Sequence, residues 1–118
     1  MNHNNVISLP INSASQAGDL LVLQGDATCA PYGSTNVKEQ VIGVALHDVD
    51  PSEIGDPHAV HLFSGIFIAK AQGPISVGDI VGIVDGNSNV VNSGTLRQIG
   101  IANESIASGV NLISIIST

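Results

Sequence analysis

Positive charge is the scarcest commodity in this chain. Lys38, Lys70 and Arg97 are its only basic residues against ten acidic ones, a net charge of −7 over 118 residues. Binding to nucleic acid relies on Lys and Arg to neutralise phosphates, so no nucleic-acid partner is expected. Aromatic residues are almost as rare, with no Trp, one Tyr and two Phe, which leaves Val, Ile and Leu to build the core. Cys29 stands alone. It cannot close an internal disulfide, it suits synthesis in a reducing cytosol, and it reads as a small buried thiol rather than a nucleophile. No apolar run approaches the roughly 20 residues that span a bilayer, and the first five residues have neither the basic nor the long apolar region of a signal peptide. Only 11% of residues are charged, yet mean hydropathy is +0.34. In a chain with no membrane segment, that balance is explained by burial of surface against partners.

What is present is β-forming sequence. From residue 19 onward, apolar residues fall in runs of four to eight, rich in β-branched types and bounded by Gly, Asp, Asn, Ser and Pro. Strands are predicted at 19–24, 41–47, 59–63, 65–71, 79–84, 89–92, 96–102 and 110–116. Asp85-Gly86-Asn87 is a hairpin signal, Ser64-Gly65 a turn or bulge, and Asp50 to Gly55 a single helical turn with Asp50 as cap and Pro51 at the first position. Residues 28–40 lack periodicity and read as a long surface loop. Residues 1–17 read as an extended N-terminal arm outside the core, and 18–118 as one all-β domain, barrel-like or a two-lobed sandwich.

Catalytic candidates are few. His47, Asp48, His58 and His61 form the one cluster resembling metal ligands. His58 and His61 are three apart, however, which on a strand sends them to opposite faces. A metal-dependent β-barrel enzyme is the alternative such a cluster would support, and scattered surface histidines are the plainer reading. Lys70 follows Ala69, where a lipoyl carrier domain has Asp. Ser64-Gly65 lacks an elbow motif, and no Gly-rich phosphate loop precedes a helix. No catalytic residue, metal site or cofactor is expected.

The informative feature is a doubling. Ala17-Gly18-Asp19-Leu20-Leu21-Val22 returns as Val77-Gly78-Asp79-Ile80-Val81-Gly82, and Ile42-Gly43-Val44-Ala45 as Ile99-Gly100-Ile101-Ala102. Gly18 and Gly78 are 60 residues apart, Gly43 and Gly100 57. The two units are placed at about 18–63 and 78–117. Gly supplies the turn and Asp bonds local N–H groups before each strand, so Gly18, Asp19, Gly43, Gly78, Asp79 and Gly100 are read as scaffold residues.

In that order, together with Val60 to Phe67 and the closing strand Val110 to Ser117, these segments resemble the small capsid cement, or head decoration, proteins of tailed bacteriophages. The resemblance covers roughly residues 16–117. It implies a β-barrel or β-tulip-like domain, a homotrimer on the outside of a phage head, the major capsid protein as partner, and no catalysis or cofactor. A phage tail or receptor-binding accessory domain is the structural alternative. Within the arm, Asn5, Val6, Ile7, Leu9, Pro10 and Ile11 are the candidate capsid-binding residues, pairing with a capsid strand edge. Deletion of residues 1–15 is expected to leave the domain folded and weaken attachment.

Overall fold

A computed structural model describes residues 5–118. Nine strands run in chain order: β1 (Val6–Pro10), β2 (Leu20–Gly25), β3 (Thr28–Pro31), β4 (Val41–Ala45), β5 (Pro57–Leu62), β6 (Ile66–Gln72), β7 (Ile80–Ile83), β8 (Arg97–Ala102) and β9 (Val110–Ser117). Two short 3₁₀ turns, Lys38–Gln40 and Pro51–Glu53, are the only helical pieces among the described residues. All pairing within the sheets is antiparallel. One sheet has the order β1-β5-β4-β2-β3 and the other β6-β9-β8-β7. The all-β expectation holds. Neither sheet closes into a barrel, but single parallel bridges, Ile11 to Cys29 and Ala71 to Val90, draw the opposite edges of each towards one another.

These two bridges show how far the doubling extends. Asn12 N–H donates to the Cys29 carbonyl at 2.9 Å, and Gln72 N–H, 60 positions later, donates to Val90 at 2.8 Å. Ser15 exchanges backbone bonds with Val49, and Ile75 does the same with Ile106. Gly18 N–H reaches the Ala45 carbonyl at 2.8 Å, and Gly78 N–H reaches Ala102 at 2.8 Å. β1 lies on β5 as β6 lies on β9, through Val6 with His61 and Ile66 with Ile116. Each unit therefore begins with its own first strand, at residue 6 and residue 66, earlier than the boundaries expected from sequence.

This corrects the reading of the N-terminus. Residues 6–10 are not an arm but an edge strand of the first sheet, and Ile11 is fully buried. Their short apolar patch is interrupted by Pro10, which hides the strand in the sequence. A proline is nevertheless tolerated on an edge. Two further differences are local. The first residues of the expected 28–40 loop form β3, whose Thr-Cys-Ala-Pro sequence is small and carries little strand signal. The expected strand at 89–92 is reduced to bridges at Val90 and Val91. At residues 51–53 the turn forms, but Glu53 does the capping: its Oε1 accepts from Asp50 N–H at 3.1 Å, while the Asp50 side chain makes no cap bond.

Two apolar clusters hold the molecule. Ile11, Leu21, Cys29, Ala45, Val49 and Val60, with Ile7 and Leu9 against them, lie entirely within the first unit. Their counterparts Ala71, Val81, Val90, Ala102, Ile106 and Ile115 lie inside the second, where the cluster also takes in Leu20, Val22, Val41 and Val44 of the first. The first unit thus has an inner core of its own and applies the opposite face of its sheet to the second. Gly43 and Gly100 are required where β4 and β8 cross their neighbours: a Cβ would press into the His61 and Ile116 carbonyls respectively.

Candidate functional site

The three basic side chains all lie along the junction between the units. Lys70 Nζ pairs with Asp19 at 2.7 Å and also bonds Gln16. Lys38 Nζ lies 3.3 Å from Glu39 and 3.6 Å from Asp85, contacts that hold its pKa above the ordinary lysine value, Glu39 first among the causes. Arg97 donates to the carbonyls of Lys38 at 2.9 Å and Val41 at 2.6 Å, with its guanidinium 5.5 Å from the centre of the Phe63 ring. Tyr32 adds a hydroxyl bond to the Val84 carbonyl at 2.7 Å, and desolvation raises its pKa. All of these links except Lys38 with Glu39 join first-unit residues to second-unit residues. The cations are structural, and none is left to form a basic surface for an anionic polymer.

The doubled Gly-Asp turns are built alike. The Asp19 carboxylate accepts from Gln16 N–H and the Asp79 carboxylate from Ser76 N–H, both at 2.8 Å, while Gly18 and Gly78 sit at φ of 89° and 91°. Asp79 also accepts from Asn92 Nδ2 at 2.9 Å, and these bonds, the Ser76 N–H foremost, hold its carboxyl below the usual range. Glu104 is lowered in the same way by the N–H and hydroxyl of Ser114. Such carboxylates are acceptors tying turns and strands together, and nothing poises them for proton transfer.

The histidines do not assemble. His58 bonds the Glu53 carbonyl at 2.9 Å, His61 bonds the Leu62 carbonyl at 2.6 Å and lies beside Phe67, and His47 is exposed. Among the described residues, no group of three or more His, Cys, Asp or Glu could hold a metal ion. Cys29 is buried, its thiol directed at the Pro10 carbonyl 3.6 Å away, and burial pushes its pKa up.

Of the candidate contact residues, Ile7, Leu9 and Ile11 face the first unit's core. Asn5 accepts from Leu62 N–H through its carbonyl and from the Ser64 hydroxyl through its side chain. That phase directs the main-chain groups of Ile7 and Leu9 to β5 and those of Val6 and Ser8 to the open edge of β1, while the Pro10 carbonyl is met by Cys29 of β3. Val6 and Ser8 therefore offer free backbone, and Pro10, with no N–H, ends the run. A groove of about 340 Å³ opens between the units, lined by Leu46 and Ala45 on one side and by Ile66, Ile68 and Leu112 on the other. Sequence reading placed these isoleucines in strands without marking them as surface. The signal was available: β6 begins as an unbroken apolar run, which belongs to a strand covered on both faces, yet Ile66 and Ile68 are exposed.

A duplicated β unit with its few cations engaged internally, an open strand edge and large exposed aliphatic side chains belongs to the class of structural assembly modules. The profile of the phage cement protein family matches residues 1–116, and the chain belongs to that family. It is a structural, capsid-associated protein of the virion. The fold is similar to that of the N base of head fibre gp8.5 in bacteriophage phi29, with a TM-score of 0.64, 22% identity, and coverage of 96% of this chain and 92% of that one. No curated protein matches the sequence.

Proposed function

We propose that this chain is a cement protein of the head exterior, which binds the outside of the phage head as a homotrimer and ties neighbouring major capsid subunits together. The family match along nearly the whole chain carries this reading. Its physical basis is linkage: a protein that binds only the assembled lattice stabilises that lattice in proportion to its occupancy and affinity. A rigid body of 36 × 36 × 23 Å, held internally by ion pairs and two apolar clusters, transmits load between subunits without deforming itself.

The open edge of β1 suits the capsid contact. Val6 and Ser8 present unpaired main-chain groups to which an extended capsid segment can add as a further strand. Asn5 anchors the start of the strand, Ile7, Leu9 and Ile11 hold it from within, and Pro10 sets its limit. No catalytic step or cofactor enters this function, and the polypeptide is made in the bacterial host cytoplasm, where a lone buried thiol is stable.

Binding to emptied, expanded heads of the cognate phage tests the reading. The full-length protein is expected to decorate the head lattice and delay thermal rupture of the heads. Ser8→Pro, which removes one outward N–H from the edge, is expected to cut head affinity at least tenfold while its melting temperature stays within a few degrees. Density at the tail instead of the head in cryo-EM overturns the proposal. Undiminished binding by folded Ser8→Pro removes β1 as the contact.

A further inference from the structure

An unbroken row of isoleucines crosses the second sheet at one level. Ile66 pairs with Ile116, Ile116 with Ile101, and Ile101 with Ile80, so one residue from each of β6, β9, β8 and β7 stands on the same face. All four are open to solvent, between 36% and 61% exposed. Ile68, further along β6, and Leu112, on β9, carry the surface into the groove at the unit junction.

The first unit shows what this face is for. Its corresponding positions, in the same register, are Val6, His61, Val44 and Leu20. There Val44 and Leu20 are each 1% exposed, because they share a cluster with second-unit residues. Within the duplicated architecture half of this row is a packing face in the first unit, where Leu20 and Val44 are covered while Val6 stays exposed, and all of it is open in the second.

We infer that the Ile66–Ile116–Ile101–Ile80 row is the surface through which copies of this chain associate, with the rows of neighbouring copies meeting about a rotation axis. Three observations favour a second copy as the occupant. The row and Ile68 together expose on the order of 500 Å² of apolar surface, at the upper end of what monomers carry. Leu112 and the groove extend this patch towards the unit junction, and the polar rim around it supplies the remainder of the roughly 800 Å² per partner of a stable interface. The four side chains of the row are also uncharged, which suits contact between copies bearing −7 each; the ionised groups flanking it are engaged within the chain, Asp79 by Ser76 and Asn92, Glu104 by Ser114, and Lys70 by Asp19. Finally, the row runs without a break into the contact already made between the units.

One proline disfavours an open, head-to-tail arrangement. Within the chain, Lys70 N–H donates to the Gly18 carbonyl at 3.0 Å as the second unit docks on the first. The position in the first unit that corresponds to Lys70 is Pro10, which has no N–H. A head-to-tail repeat of the intramolecular contact from chain to chain would lack this bond, which favours the row meeting its own kind.

The assignment rests on the self-association proposed above, and the two are separable by sedimentation of the full-length protein at tens of micromolar. The wild type is expected at a multiple of its 12.0 kDa mass, threefold for a trimer. Ile101→Lys with Ile116→Lys is expected at the single-chain mass, with a melting temperature within a few degrees, since both side chains are exposed in the isolated chain. As a check independent of introduced charge, Ile116→Cys is expected to form an interchain disulfide under mild oxidation and Ser52→Cys none. A wild-type multimer that persists in the folded lysine variant, and no disulfide at 116, overturns the row while self-association stands. A wild type that is monomeric throughout overturns both, and loss of head binding by the lysine variant then identifies the capsid as the occupant.

Discussion

At the scale of single residues, the doubled Gly-Asp turns were legible because their chemistry is local. Glycine at positive φ followed by a carboxylate bonding an N–H three residues back needs no knowledge of the rest of the chain. The partners that differ between copies were not legible, since they come from afar: Asp19 receives Lys70, whereas Asp79 receives Asn92. Asp79 yields a pH prediction. Its folded pKa is depressed, as is that of Glu104, so near and below about pH 4 the unfolded chain binds more protons than the folded one. Stability from these groups is complete above the ordinary carboxylate range and is lost as pH falls through the folded values. The urea midpoint is expected to fall between pH 6 and pH 3, and Asp79→Asn with Glu104→Gln to show a smaller fall. Parallel pH profiles would count against the assignment.

At the scale of elements, strands with continuous or alternating aliphatic residues were readable, among them β2, β4, β6 and β9. β1 and β3 were not. Both are short edge strands containing proline, and both are fixed by partners distant in sequence: Val6 by His61, and Cys29 by Leu23 and Ile11. The consequence for truncation reverses the sequence-based expectation. Removing residues through Ile11 strips the fully buried Ile11, whose loss alone costs about 2–5 kcal/mol, together with the half-buried Ile7 and Leu9 and the whole pairing of β1 with β5. A domain of this size has roughly 5–15 kcal/mol in all. The chain beginning at Asn12 is therefore expected to lose its cooperative melt in circular dichroism, whereas the sequence alone anticipated a folded domain. A retained transition near the wild-type temperature would restore the arm.

At the scale of the molecule, the duplication itself was visible, but not its asymmetry. Equivalent positions carry aliphatic residues in both units, and only the packing tells that Leu20 and Val44 are covered while Ile80 and Ile101 are open. This dependence predicts unequal halves. Residues 64–118 alone lose the cover of Leu20, Val22, Val41 and Val44, and a fragment of about 55 residues is marginal to begin with. It is expected to be unstructured by heteronuclear NMR and to acquire dispersed signals when residues 1–63 are added. A well-dispersed spectrum from the isolated fragment would show that the second unit is self-sufficient.

Because Lys38, Lys70 and Arg97 all sit where the two units meet, ionic strength acts on this protein in two opposite directions. Dissolved salt screens the few attractive pairs, which lie at the seam inside each molecule, and loosens that seam slightly. The same salt screens repulsion between whole acidic molecules and favours crowding them on a common surface. A brine that softens the seam within each molecule thus also weakens the repulsion that keeps neighbouring molecules apart.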